Sequence, residues 1–391
     1  MRNRSRLIAV LISLSSVLNV VAQEPHQTGH FELSRVGLPT AIYAQASQLN
    51  GEAFAAKDEI VTPSKEIVPE AVDDIRRTST WSIFVPDDYS PDVPYGLMVY
   101  INSTGSGKVN KQWEPILAKH RLIWVGPNKA GNETATSWRM ALANEGVRQM
   151  LSRYNIDRDR IYISGRSGGG RVSSMQMLHQ PDIYSGGFPI VGANPHRDLT
   201  MAKGFLPGFK FSPASFNLAK NKSRFVFLTG EKDFNREQVQ GVAKQYLQDG
   251  CRFVTYLEVP GMGHDAVPVE WVEKGFIALD APLKASAESQ FENATKLLKR
   301  NKQAEAMIAY RCAAFHNSEG EFAAEAREKY TELYQQYQTE LKEVETLVEA
   351  GDKRAATQAI TRFKKSWKVV GEADIARLTD LLKNPPKEGE E

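Results

Sequence analysis

The sequence predicts an α/β domain, a mostly parallel sheet with helices on both faces, followed by an all-helical segment. Three observations predict it. From residue 78 to residue 259, short near-continuous apolar runs alternate with runs of helical periodicity, the pattern of strands buried on both faces. Prolines punctuate this stretch and are then absent between Pro282 and Pro385, while glycine thins, as expected where strands and loops give way to helices. A chain of 391 residues is also long enough for two units, at roughly 100–200 residues per domain.

Taken in order, residues 1–22 read as a signal peptide. Arg2, Arg4 and Arg6 precede an apolar run from Leu7 to Val21, and Val20-Val21-Ala22 offers a cut after Ala22. The run is interrupted by serine and is short for a membrane span of about 20 residues. The mature chain is therefore expected to be secreted or periplasmic, with no stable membrane span. Residues 23–75 read as a loose lead-in with little periodicity.

Strands follow at Thr78–Val85, Tyr95–Asn102, Leu122–Gly126, Arg160–Ser164, Phe188–Val191, Arg224–Thr229 and Phe253–Val259. Helical spacing is clear over Ala141–Tyr154 and Arg171–Leu178. These elements make a domain over 76–284. The segment 285–384 reads as helices at Ala287–Lys299, Gln303–Phe315, Glu321–Glu349, Lys353–Trp367 and Ala373–Lys383, broken at Gly320, Gly351 and Gly371. Ala304, Ala306, Ala309, Ala313, Ala323, Ala324 and Ala326 fall where paired helices are expected to touch. Residues 385–391 read as a disordered tail.

Composition narrows the function. With 41% hydrophobic and 25% charged residues the chain is neither disordered nor multispanning. Lys and Arg number 49 against 47 Asp and Glu, a formal +2, which gives no basic excess for nucleic acid. Two cysteines, Cys251 and Cys312, exclude a disulfide scaffold and an all-cysteine zinc site, and leave their pairing open. No metal or cofactor motif is evident.

The chemical signal is Gly165-Arg166-Ser167-Gly168-Gly169, directly after a strand and before a helix. A G-x-S-x-G turn between those elements presents a serine hydroxyl at the carboxyl end of the sheet, where the Gly168 amide can donate to a developing oxyanion. A hydroxyl becomes a nucleophile when a histidine takes its proton and a carboxylate orients that histidine. In this arrangement acid and histidine follow the serine, each after a later strand. The strand Arg224–Thr229 ends in Gly230-Glu231-Lys232-Asp233, and Phe253–Val259 ends in Pro260-Gly261-Met262-Gly263-His264. Asp233 is preferred over Glu231, because a short side chain closing the glycine turn can reach back. Of the seven histidines, only His196, in a loop after Phe188–Val191, rivals His264. Asp265 reads as a capping residue. The second oxyanion donor is expected from Asn102-Ser103-Thr104-Gly105-Ser106-Gly107, as the amide of Ser103 or Thr104. Trp138 and Trp271 are candidates to line an acyl or aromatic pocket, although partly buried packing is the commoner role of tryptophan.

The stretch Tyr154-Asn155-Ile156-Asp157-Arg158-Asp159-Arg160-Ile161-Tyr162-Ile163-Ser164-Gly165-Arg166-Ser167 resembles the α/β-hydrolase superfamily. It is most similar to secreted feruloyl-esterase and polyhydroxyalkanoate-depolymerase type enzymes, with prolyl-oligopeptidase-like peptidases as cousins. The resemblance runs from about Thr78 to Leu279 and implies Ser167 as nucleophile, His264 as base and Asp233 as its orienter. The chain departs from the group in carrying Asn102-Ser103 where His-Gly is usual, and Arg166 where a small or apolar residue is usual. Ala306 to Leu333 resembles one tetratricopeptide-type hairpin.

The expected function is an exported serine hydrolase, a carboxylic ester hydrolase working through an acyl-enzyme on a small-molecule or polymer ester. Two alternatives stay open: a serine peptidase of the prolyl-oligopeptidase-like type, and an inactive hydrolase-like protein whose C-terminal helices bind a protein partner.

Overall fold

The computed structural model of the protein describes residues 26–36, 78–202 and 204–383. The expected signal peptide, most of the lead-in and the 385–391 tail lie outside the described residues. In chain order the elements are β1 (Gly29–Val36), β2 (Thr78–Val85), β3 (Tyr95–Ile101), α1 (Glu114–Lys119), β4 (Leu122–Pro127), α2 (Thr136–Leu151), β5 (Ile156–Arg166), α3 (Gly168–His179) and β6 (Gly186–Ile190). A small hairpin follows, β7 (Leu199–Met201) and β8 (Gly204–Leu206). Then come α4 (Pro213–Lys222), β9 (Arg224–Gly230), α5 (Arg236–Gln248), β10 (Phe253–Val259), α6 (Val269–Lys299), α7 (Gln303–His316), α8 (Ala323–Glu349), α9 (Lys353–Trp367) and α10 (Glu372–Lys383).

The main sheet has the order β1-β2-β4-β3-β5-β6-β9-β10. β1 with β2, and β2 with β4, pair antiparallel, and every later neighbour is parallel. Side chains alternate across it, as the pleat requires. Leu97, Val99, Ile101, Ile161, Ile163, Phe225 and Phe227 face the core shared with α2, α3 and α5. Met98, Tyr100, Tyr162, Val226 and Leu228 face the core shared with α1 and the first half of α6. A mostly parallel sheet in this strand order, helices on both faces and a helix springing from β5, is the α/β-hydrolase architecture; a helical segment, α6 to α10, follows it.

Two elements differ from the sequence expectation. Part of the lead-in is a strand: β1 pairs with β2 from Gly29↔Val85 to Val36↔Thr78. Its pattern is faint because it is an edge strand, with Phe31 and Leu33 turned to the core between the exposed His30, Glu32 and Ser34. The first C-terminal helix also begins eighteen residues before Ala287, at Val269, and runs unbroken through Pro282. The boundary drawn at 284 therefore falls inside α6. That helix serves two cores: Val272, Phe276 and Leu279 pack on the sheet, whereas Ala294 packs against α7 and α8. Ala306, Ala309, Ala313, Ala323 and Ala326 are buried, but Ala324 is exposed, since it lies about 100° around α8 from Ala323.

The helical segment is fastened to the amino end of β5. Asp157 Oδ2 lies 2.7 Å from His316 Nε2, and Asp157 Oδ1 lies 3.4 Å from Arg311 Nη2. Arg160 donates from Nε and Nη2 to the two oxygens of Asp280 on α6, at 3.0 and 2.7 Å. Burial by itself would raise the Asp157 carboxyl, but Arg311 and the His316 hydrogen bond outweigh it and hold it well below the usual carboxylate range. A carboxyl whose pKa is depressed by folding stabilises the native state above its unfolded pKa, and that contribution is lost as pH falls. Asp157→Asn is expected to cost roughly 3–5 kcal/mol at neutral pH. Urea unfolding at neutral pH and near about pH 3 should show the gap from wild type narrowing in acid; a gap of constant size would refute the assignment.

Candidate active site

β5, β6, β9 and β10 are parallel neighbours, so the loops leaving their carboxyl ends gather at one edge of the sheet. Ser167 is the first residue past β5. Its backbone has φ 55° and ψ −116°, outside the helical and strand regions, and its N–H donates to Ile190 O at 2.8 Å. The turn is so tight that a Cβ on Gly165 would stand 2.5 Å from Gly169 and Ile101 backbone atoms, and one on Gly169 would stand 1.8 Å from Ile101 O. Glycine at those two positions is a steric demand of the elbow.

The structure brings the three sequence-predicted side chains together. His264 Nε2 is 3.0 Å from Ser167 Oγ, and His264 Nδ1 is 2.9 Å from Asp233 Oδ1. Asp233 is fixed in turn: Oδ1 also accepts from the Asn235 N–H at 2.9 Å, and Oδ2 accepts from Thr229 Oγ1 at 3.0 Å. Its side chain is fully buried, whereas that of His264 is 21% exposed, so the imidazole alone of the pair reaches solvent. Glu231, the rival acid, instead accepts the Gly261 N–H at 2.7 Å and braces the turn before the histidine. His196, the rival base, lies 2.7 Å from Asp249, packed among Phe211, Phe216 and Tyr246.

On the oxyanion side, the two candidate amides differ. The Thr104 N–H donates to Asn102 Oδ1 at 3.2 Å, while the N–H groups of Ser103 and Gly168 have no acceptor among the described residues. Trp138 packs against the core under α2, and Trp271 against the core under α6, where Lys274 Nζ sits 3.7 Å over its ring.

Three further residues shape the site. Arg166 donates to the backbone oxygens of His264 and Asp265, tying the strand before Ser167 to the histidine loop. Phe234, 78% exposed, stacks on the His264 ring with centroids 4.3 Å apart. Arg171 donates to Asn235 and Gln238, supporting the turn that carries Asp233. In sequence, Arg166 stands out as a departure before the serine, and Phe234 is marked only by following Asp233. Among the described residues one metal-type cluster, Asp159, Cys312 and His316, occurs toward the opposite end of β5. Its chemistry does not fit an ion: Arg311 lies 3.6 Å from Asp159, His316 is engaged by Asp157, and burial pushes the Cys312 thiol up, away from thiolate. Cys251 and Cys312 are both buried free thiols, and no helix among the described residues is long and apolar enough to cross a membrane.

No protein-family profile matches the chain, and no curated protein matches it. Among solved structures it is similar to a CE1 ferulic acid esterase, AmCE1/Fae1A from Anaeromyces mucronatus, at 17% identity and TM-score 0.40, over 52% of this chain and 84% of that one. It is also similar to LpqC, a poly(3-hydroxybutyrate) depolymerase from Bordetella parapertussis, at 19% identity and TM-score 0.38, over 48% of this chain and 80% of that one. A thermostable esterase matches at 19% identity and TM-score 0.37 over 48% of this chain, and the match spans about half, 52%, of that enzyme's length. These are likenesses of fold.

Proposed function

We propose that the protein is an exported serine hydrolase that cleaves carboxylic esters through an acyl-enzyme. The observation that carries the reading is the continuous hydrogen-bonded line Ser167–His264–Asp233, with links of 3.0 and 2.9 Å, standing on a strained elbow. Ser167 Oγ attacks the carbonyl carbon while its proton passes to His264 Nε2. The oxyanion that forms is met by the N–H groups of Gly168 and Ser103, and Thr104 is set aside because its N–H is already engaged. Collapse of the tetrahedral species breaks the C–O bond, and the leaving alkoxide takes the proton from Nε2. Water then attacks the acyl-enzyme, giving its proton to Nε2, and release of the acid returns that proton to Ser167. Asp233 stays ionised throughout, fixing the tautomer and facing the transient imidazolium. Nucleophile, base, orienter and oxyanion donors are all protein groups, so the scheme calls on no cofactor.

Export rests on the N-terminal Arg2, Arg4, Arg6 and apolar pattern. The helices α7 to α10 act as a brace at the far end of β5 rather than as a lid, because among the described residues α7 ties to Asp157 and Asp159 there.

The direct test is labelling of the mature protein by a fluorophosphonate. Wild type should label and Ser167→Ala should not, whereas a folded wild type that fails to label would end the reading. On an activated ester, Asp233→Asn is expected to lower kcat by about 10⁴-fold, through loss of the working tautomer. Glu231→Gln and His196→Gln should leave kcat near wild type, while His264→Gln should abolish turnover. Equal losses at Glu231 and Asp233 would show that the carboxylate has been misassigned.

A further inference from the structure

Three observations outside the triad converge on the back of the elbow. Arg139 is fully buried, 0% exposed, yet no carboxylate pairs with it among the described residues. It donates instead to Ala130 O at 2.8 Å, Asn102 O at 3.2 Å and Asn132 Oδ1 at 3.5 Å. A buried cation answered only by neutral oxygens is costly, and burial pulls its guanidinium down to about 10. The groups it holds are those of the oxyanion loop and of the loop after β4. The same two loops are stitched by their backbones, Asn132 N–H to Ser103 O at 2.9 Å and Lys129 N–H to Gly105 O at 2.6 Å.

The third observation is where Asn132 points. A Cβ on Gly168 would stand 2.0 Å from Asn132 Oδ1, 2.8 Å from Cγ and 3.1 Å from Nδ2. The carboxamide therefore lies directly against the residue whose N–H faces the oxyanion, and only glycine after Ser167 leaves room for it. Arg139 has donors and no acceptor, so the carboxamide oxygen is the end that turns to it. Asn132 Nδ2 then has no acceptor among the described residues, and its side chain is only half-buried.

We propose that Asn132 supplies a side-chain N–H donor to the oxyanion pocket, beside the Gly168 and Ser103 amides, with Arg139 as the positioning residue that holds it. The proposal rests on the hydrolase reading above and names a group that the G-x-S-x-G turn does not. A preorganised amide dipole gains most when full charge develops on the oxygen, so its effect belongs to kcat and not to substrate binding. It also gives a purpose to the unusual Asn102-Ser103 loop: the loop is anchored to a buried arginine that the Asn132 carboxamide shares.

The experiment compares wild type, Asn132→Ala and Asn132→Asp on p-nitrophenyl acetate, with kcat and KM separated, and with inhibition by a trifluoromethyl ketone that forms a tetrahedral adduct on the serine. Asn132→Ala should lower kcat by about 10²–10³-fold with KM little changed, and ketone affinity should fall in parallel. Asn132→Asp should fall further, because a carboxylate repels the oxyanion. Wild-type kcat and ketone affinity in Asn132→Ala, or a rise in KM alone, would overturn the proposal. Asn132→Ser, too short to reach the pocket, replaces the alanine variant if melting shows that variant unfolded, with the same loss expected. Fluorophosphonate labelling separates the two levels. A wild type that neither labels nor turns over ends the hydrolase reading and this proposal with it. A labelled, active wild type indifferent to Asn132 ends this proposal alone.

Discussion

A serine held at φ 55° is a costly conformation, of order 1–3 kcal/mol above an ordinary one. Much of the surrounding structure is what keeps it there. β6 receives the Ser167 N–H, Gly165 and Gly169 let the turn close against Ile101, and α3 takes up the chain one residue later. Because the serine is aimed by the backbone, the other partners need only be brought to it. They arrive on loops from β9 and β10, strands whose registers are fixed by ladders extending the same sheet. The strain is thus compensated by the sheet, and the contact of Ser167, His264 and Asp233 depends on that sheet being complete.

Much of this was legible in the sequence, and the reasons are physical. β2 and β10 match the sequence reading residue for residue, because runs rich in β-branched and aromatic residues end there at Pro86 and Pro260. Ser167, Asp233 and His264 were readable because strand ends carry them in a fixed order, and the structure sets them in hydrogen-bonding contact. β1 was hidden because an edge strand with one inward face needs only two apolar residues. The length of α6 was hidden by Pro282, which reads as a terminator but here sits within a helix whose neighbours on both sides are packed. Arg139 and Asn132 were silent for a different reason. Their significance lies in contacts such as Asn132 with Ser103 and Arg139 with Asn102, 29 and 37 residues apart, which no local pattern records.

The two ends of β5 divide the labour of the chain. At the amino end Asp157 and Arg160 meet α6 and α7 in buried ion pairs, and at the carboxyl end the chain turns into Ser167. A shift of α7 against β5 would cost these pairs, since Asp157 would lose both His316 and Arg311. The thiol of Cys312 belongs to this seam and, kept neutral by burial, is a packing group there.

α6 has a consequence that reaches beyond stability. One unbroken helix spans both cores, so the C-terminal bundle is carried on a rod and not on a tether. Asp157 stands at the amino end of β5 and Ser167 just past its carboxyl end, so the seam and the serine are held at the two ends of one strand. Neither end can move toward the other without breaking the ladders that β5 makes with β3 and β6.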